Sequence, residues 1–150
     1  MRQAHRPAVE LLEGKSLLSA VAGLSETLTV SQASVGSGQP IVLTFTETNT
    51  SNHDIVVTDG ASFQGFSVTQ NGKEVWRSNF GPNPMIAVNR VLHPGQSLTD
   101  SVTWSGETNP GVKPSPTGAF VVHSVRDISG PAATVTITPS GFHFLPPKRR

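Results

Sequence analysis

The 150-residue chain has no cysteine and no tyrosine, and aromatic residues make up only 6% of it. Without cysteine there is no disulfide, no thiolate nucleophile and no thiolate-bound zinc. No run approaches the roughly 18 apolar residues of a membrane span. No Gly-x-Ser-x-Gly elbow occurs, and Gly36-Ser37-Gly38 lacks the third glycine and following helix of a phosphate loop. The five histidines, at 5, 53, 93, 123 and 143, are dispersed. His53-Asp54 with Asp59 fits neither an EF-hand nor a His-Glu-x-x-His pattern. A hydrolase needs a nucleophile, a base and an orienting group held together, and no such set stands out. The expectation is a protein without catalytic residues, bound metal or cofactor.

Charge is sparse too, with acidic and basic residues at 14% and a formal net charge of +1. The basic excess sits at the two ends. Residues 1–24 carry Arg2, Arg6 and Lys15 against Glu10 and Glu13, and the tail carries Lys148, Arg149 and Arg150. The body between holds five basic residues and eight acidic ones, a balance of −3. No basic cluster marks a nucleic-acid surface, and the tail reads as a solvated end.

Three segments are expected: 1–24, a body over 25–140, and a basic, proline-containing tail over 141–150. The first has a basic start, the apolar stretch SLLSAVAGL and the small-residue triplet Ala20-Val21-Ala22. That order resembles a secretory signal, although Glu10, Glu13 and Lys15 interrupt it. A short amphipathic helix or an unstructured leader is the other reading. The same stretch also resembles the LE-x-(R/K)-x-LLS motif of some large bacterial surface and extracellular proteins. Leu12, Glu13, Lys15, Leu17, Leu18 and Ser19 carry the match. The resemblance implies export to the cell surface or beyond; without a functional leader the location would be cytoplasmic.

From Thr27 onward the sequence alternates. Ile41, Leu43 and Phe45 stand against Val42, Thr44 and Thr46; Leu98, Val102 and Trp104 against Ser97, Thr99, Ser101 and Thr103; Ala133, Val135 and Ile137 against Thr134, Thr136 and Thr138. One apolar and one threonine-rich face is the pattern of half-buried antiparallel strands. Turn signals separate about nine of them, near 27–35, 40–48, 54–58, 65–70, 73–78, 85–91, 97–104, 118–126 and 133–139. Many short strands spaced in this way predict an all-β, two-sheet sandwich. Asp100 falls on the apolar side of its strand and needs exposure or a partner. His123 reads as a half-exposed strand histidine.

Asn71-Gly72 is a strong hairpin signal, because a type I′ turn needs positive φ at both central residues. Counting out from it pairs Gln70 with Lys73, Thr69 with Glu74, Val68 with Val75 and Ser67 with Trp76. Phe66, Val68 and Val75 then share one face and Trp76 the other. Either a bulge or a second layer buries Trp76, or the ring is an exposed anchor of the kind that dominates interfaces. The longest stretch without strand character is Ser105–Thr117, stiffened by Pro110, Pro114 and Pro116. It is either a binding loop or a tolerated insertion.

Several ordered segments resemble the BsuPI-type intracellular proteinase inhibitor family. Gly72, Val75, Trp76, Arg77 and Ser78 match its hairpin. Leu92, Pro94, Gly95, Ser97 and Trp104 match its next strand, and Gly118, Phe120 and Val122 the one after. Asn49 and Ser51 match an upstream strand end. Gln96 stands where the family has Glu, and Ser78-Asn79 replaces its second Trp region. The resemblance spans roughly residues 27–138 and implies an immunoglobulin-like antiparallel β-sandwich that inhibits serine proteases of the subtilisin type. The expected contact residues are Trp76, Arg77, Phe80, Met85 and Lys113, on a monomeric, non-enzymatic protein-binding domain. An exported surface or matrix module that spaces or adheres is the alternative. A carbohydrate-binding module with Trp76 as a stacking platform comes third.

Overall fold

The computed structural model describes residues 22–59, 65–79 and 87–139, together with the backbone of 10–11 and 14–18. Twelve strands run through them: β1 (Glu10–Leu11), β2 (Gly14–Leu18), β3 (Leu24–Val30), β4 (Ser34–Gly36), β5 (Ile41–Asn49), β6 (Ile55–Asp59), β7 (Phe66–Gln70), β8 (Lys73–Arg77), β9 (Val88–Leu92), β10 (Ser97–Trp104), β11 (Gly118–Ser124) and β12 (Asp127–Thr138). No helix occurs among the described residues. One five-stranded sheet has the order β1-β2-β3-β5-β10 and a second the order β4-β12-β11-β7-β8; β6 and β9 form a two-stranded ribbon. All pairings are antiparallel except β4 with β12.

The alternating faces close on one another. Leu28, Val30, Ile41, Leu43, Phe45 and Trp104 of the first sheet share a buried cluster with Val35, Phe66, Val68, Val75, Phe120, Val122, Ala133, Val135 and Ile137 of the second. The chain is therefore all-β and sandwich-like. On β3, β5 and β10 the outer face of the first sheet is mainly threonine and serine, and its hydroxyls meet across strands: Thr48 with Ser97 at 2.7 Å, Thr44 with Ser101 at 3.3 Å. Such pairs support a sheet without burying apolar area.

The expected single strand over 27–35 is two strands in different sheets. The Val42 N–H donates to Ser31 Oγ (2.9 Å), and the Ser31 N–H to the Val42 carbonyl (2.9 Å). A side chain thus ends the β3–β5 ladder, and the Ala33 carbonyl accepts from the Thr136 N–H (2.8 Å), starting β4 beside β12. The expected boundary at 24/25 falls inside β3, whose Leu24 is buried. Gly14–Leu18, in the expected leader, pairs with β3.

A second, smaller cluster of Leu24, Ile55, Val57 and Leu92, with Leu98 against it, seats the β6–β9 ribbon. Asn49, fully buried, fastens this corner. Its Nδ2 donates to the carbonyls of His53 and Leu92 (both 2.7 Å), while its Oδ1 accepts from the Ser51 N–H (2.8 Å) and Oγ (2.6 Å). The Asn-x-Ser spacing is thus a structural fastening. Asp100 finds the partner its position demanded: its Oδ2 accepts from the Gly65 N–H at 2.6 Å. His123 is half-buried, and burial holds its ring below its ordinary pKa, against the pull of a hydrogen bond with the Ile128 backbone.

Charge is also buried where the sheets and ribbon meet. Arg126, in the β11–β12 turn, donates from Nη2 to Glu47 Oε1 (3.1 Å) and the Thr58 carbonyl (2.8 Å), and from Nη1 to Asp59 Oδ1 (3.4 Å). Arg90 Nε donates to Asp59 Oδ2 (3.1 Å). Beside them Glu26, 2% exposed, lies directly across from Glu47 in the β3–β5 register. Gly130 packs so closely that a Cβ there would meet Asp127 Oδ2 at 2.8 Å and Glu26 Oε1 at 2.9 Å. Burial, then the hydrogen bonds and charges of Asp127 and Glu47, push the Glu26 carboxyl up to about 8, so it holds a proton at neutral pH.

Replacing Asn49 by Ala takes the side-chain partner from the buried Leu92 carbonyl and from the Ser51 N–H, while the His53 carbonyl keeps Ser51 Oγ (2.9 Å). The expected loss is about 3 kcal/mol, read as a lower urea midpoint. Glu26 binds its proton more tightly folded than unfolded. Its contribution is therefore complete below pH 4.5 and is lost as pH rises through about 8. The urea midpoint of the native chain should fall across that window relative to Glu26→Gln, whose profile should be flatter.

Candidate functional site

The hairpin turn forms as its sequence demands, with Asn71 at φ 53° and Gly72 at φ 81°. Beyond Thr69–Glu74 the register departs from the simple count. Val68 faces Trp76 and Ser67 faces Arg77, because a bulge lies between Val68 and Thr69 on the partner side. The expected pairs Val68–Val75 and Ser67–Trp76 do not form. The extra residue lets two consecutive apolar side chains, Val75 and Trp76, reach the same core. Val75 is buried. Trp76 is half-buried, its ring 6.0 Å from that of Trp104, which in turn meets Phe120 edge-on at 5.6 Å. Trp104 and Phe120 thus back Trp76 with a row of rings.

The polar side of the hairpin is equally organised. Glu74 accepts from Arg77 Nη2 (2.8 Å), Arg77 Nε (3.2 Å) and Ser67 Oγ (2.9 Å). Burial alone would raise the Glu74 pKa. The hydrogen bonds from Arg77 and Ser67, with the Arg77 charge, outweigh it and hold the carboxyl below its ordinary value. Glu74 and Arg77 therefore largely cancel each other's charge.

Strand β8 is the last in its sheet, so its outer backbone groups need partners or water. Asn109 supplies them. Its N–H donates to the Val75 carbonyl (2.8 Å), and its Oδ1 accepts from the Arg77 N–H (3.0 Å). Asn109 is 6% exposed although it lies in the longest loop. That loop, 105–117, is a strap fixed at three places. Trp104 Nε1 donates to the Glu107 carbonyl (2.9 Å), and the Ser105 N–H to Glu107 Oε1 (2.8 Å). Asn109 holds the middle. Gln70 holds the far end, donating from Nε2 to the carbonyls of Ser115 (3.1 Å) and Thr117 (3.2 Å) and accepting from the Ser115 N–H (3.0 Å).

Between the second and third anchors, Pro110-Gly111 makes a turn closed by the Val112 N–H on the Asn109 carbonyl (3.1 Å), with Gly111 at φ 81°. Val112 packs on the main core, whereas Lys113 is exposed. Pro114 stands between two hollows. One, of about 220 Å³, is bordered by Trp104, Phe120 and Ile137; the other, of about 370 Å³, lies between the strap and the β7–β8 turn.

Of the residues expected to make contacts, Trp76 and Arg77 lie on β8 and Lys113 on the strap. Phe80 and Met85 lie outside the described residues. Asn109, Gln70 and Glu74, which position the others, carry no signal beyond the Asn-Pro-Gly turn sequence. Among the described residues no group of three His, Asp or Glu is placed to hold a metal ion.

No family model and no curated protein matches the chain. Among solved structures it is similar to the β-glucosidase EmGH1 of Erythrobacter marinus, at 12% identity and TM-score 0.46, over 74% of this chain and 15% of that one. It is similar to the alkylpurine DNA glycosylase AlkC of Pseudomonas fluorescens, at 16% and 0.45, over 77% and 30%. A β-glucosidase of Listeria innocua gives 12% and 0.42, over 75% and 16%. The chain spans at most 30% of these proteins' lengths, and likeness at this level carries no conclusion about activity.

Asn109→Ala keeps the backbone bond to the Val75 carbonyl but removes the side-chain bonds to the Arg77 N–H and to Glu74 Oε2, and so should loosen the strap at its middle anchor while leaving the fold intact. Limited proteolysis should then cut within 107–117 at least tenfold faster than in the native chain, with a global stability loss of about 1–2 kcal/mol.

Proposed function

We propose that the chain is a non-enzymatic, protein-binding domain of the BsuPI proteinase-inhibitor kind, with an immunoglobulin-like sandwich as its frame. The observation that carries the reading is the strap: a proline-rich segment anchored on both sides of an exposed Lys113. A loop already held in one shape loses little ordering entropy when it enters a protease cleft. Trp76 and Arg77 flank it on β8, and Phe80 and Met85 complete the expected contact set. The two sheets around one core, with the chain crossing between them after β3, support the finer fold assignment.

The partner that the resemblance implies is a serine protease of the subtilisin type, and the exposed Lys113 extends the proposal to trypsin-like enzymes. Pro114 follows Lys113, so the bond after the lysine lacks a backbone N–H and has a fixed φ. Such a bond resists cleavage while the lysine fills an acidic specificity pocket. The second reading, an exported surface module that spaces or adheres, is favoured by the LE-x-(R/K)-x-LLS resemblance at Leu12–Ser19. No helix among the described residues is long and apolar enough to cross a membrane.

The test is residual activity of a panel of subtilisin-like and trypsin-like proteases against the full chain. Saturable inhibition with the strap uncut is expected, weakened about thirtyfold (~2 kcal/mol) by Lys113→Ala. Rapid cleavage without inhibition would remove the inhibitor reading and leave the surface module in its place.

A further inference from the structure

The basic side chains of the body are divided in an informative way. Arg77 is paired with Glu74, Arg90 with Asp59, and Arg126 with Glu47 and Asp59. Lys73 and Lys113 have no carboxylate partner among the described residues. Both are exposed, and both line the same hollow of about 370 Å³ between the β7–β8 turn and the strap. Glu74 also borders this hollow, but Arg77 compensates its charge. On a body of net −3, the two unpaired lysines therefore converge on one concave place.

The hollow also has a directional wall. Asn109 caps the β8 backbone at Val75 and Arg77, and its Nδ2 donates to the Glu74 side chain at Oε2 (3.4 Å). Nearer the turn, at Lys73 and Glu74, no strand among the described residues pairs with β8 on its outer side. Gly111, Val112, Lys113 and Pro114 form the opposite wall. A slot between a strand edge and an extended loop accepts an extended chain.

We infer that this slot binds an acidic, extended peptide segment of the partner, whose carboxylates meet Lys73 and Lys113. The inference rests on the protein-binding reading above and adds Lys73 and the slot wall to the contact made by Lys113. Attraction of this kind is local, steers encounter and weakens with salt.

The test is a heteronuclear NMR titration of the full chain with acetylated hexaglutamate amide at low salt, with hexaglutamine as the uncharged control. Saturable shifts at residues 71–75 and 111–114 are expected, with no response to hexaglutamine. The double variant Lys73→Ala/Lys113→Ala changes only exposed side chains and should bind about tenfold more weakly, with an unchanged circular dichroism spectrum. Unchanged affinity in the double variant, or loss of binding only when Lys148, Arg149 and Arg150 are replaced, would overturn the inference. Protease inhibition untouched by hexaglutamate and by Lys73→Ala would overturn the slot while leaving the inhibitor reading standing. Hexaglutamate binding in the slot without any protease inhibition would support the slot and sink the inhibitor reading.

Discussion

The Asn109 amide on the open edge of β8 is the contact on which the binding face depends. An outer strand cannot leave its N–H and C=O groups unpaired next to a core. Here a loop residue substitutes for a neighbouring strand, meeting the Val75 carbonyl and the Arg77 N–H. The arrangement does two things at once. It closes the part of the edge at Val75 and Arg77, which would otherwise invite pairing with another chain, and it fixes the middle of a loop that would otherwise be loose. Gln70 and Glu107 extend the same logic to the two ends. The exposed residues between the anchors inherit their shape from the sheet.

The bulge in the hairpin belongs to this arrangement. It turns Val75 and Trp76 toward the core together, and so allows Trp76 to join the row with Trp104 and Phe120. It also brings Arg77 opposite Ser67. At the other end of the molecule the corner around Asn49 and the buried charges around Arg126 hold the β6–β9 ribbon against both sheets. Fixed polar contacts thus specify both ends of the core, whose other buried residues are apolar, aliphatic and aromatic together.

Much of the fold was legible because a half-buried strand writes its two faces into the sequence. Ile41, Leu43 and Phe45, or Ala133, Val135 and Ile137, can only face inward together. Asn71-Gly72 fixed the first pairs of the hairpin. The bulge was not legible as a register, since it is decided by whether the core has room for a second ring. Its trace was the apolar pair Val75-Trp76, which strict alternation cannot bury. The buried charges were missed although they had a trace: Glu26, Glu47 and Asp59 each continue the inward series of their strands. Which carboxylate meets which arginine is set by long-range pairing that no local pattern records. Of the site, Lys113 and the prolines could be named from sequence. The anchors that give them a shape, Asn109 and Gln70, became visible only with β8 in place.

Central to this account is a strap already ordered before any partner arrives. Backbone ¹⁵N relaxation of the free chain over residues 107–117 tests that directly. Order parameters near those of a rigid backbone, about 0.85, are predicted for the strap, matching β8 beside it. Values below about 0.6 in the strap, with β8 rigid, would contradict the account.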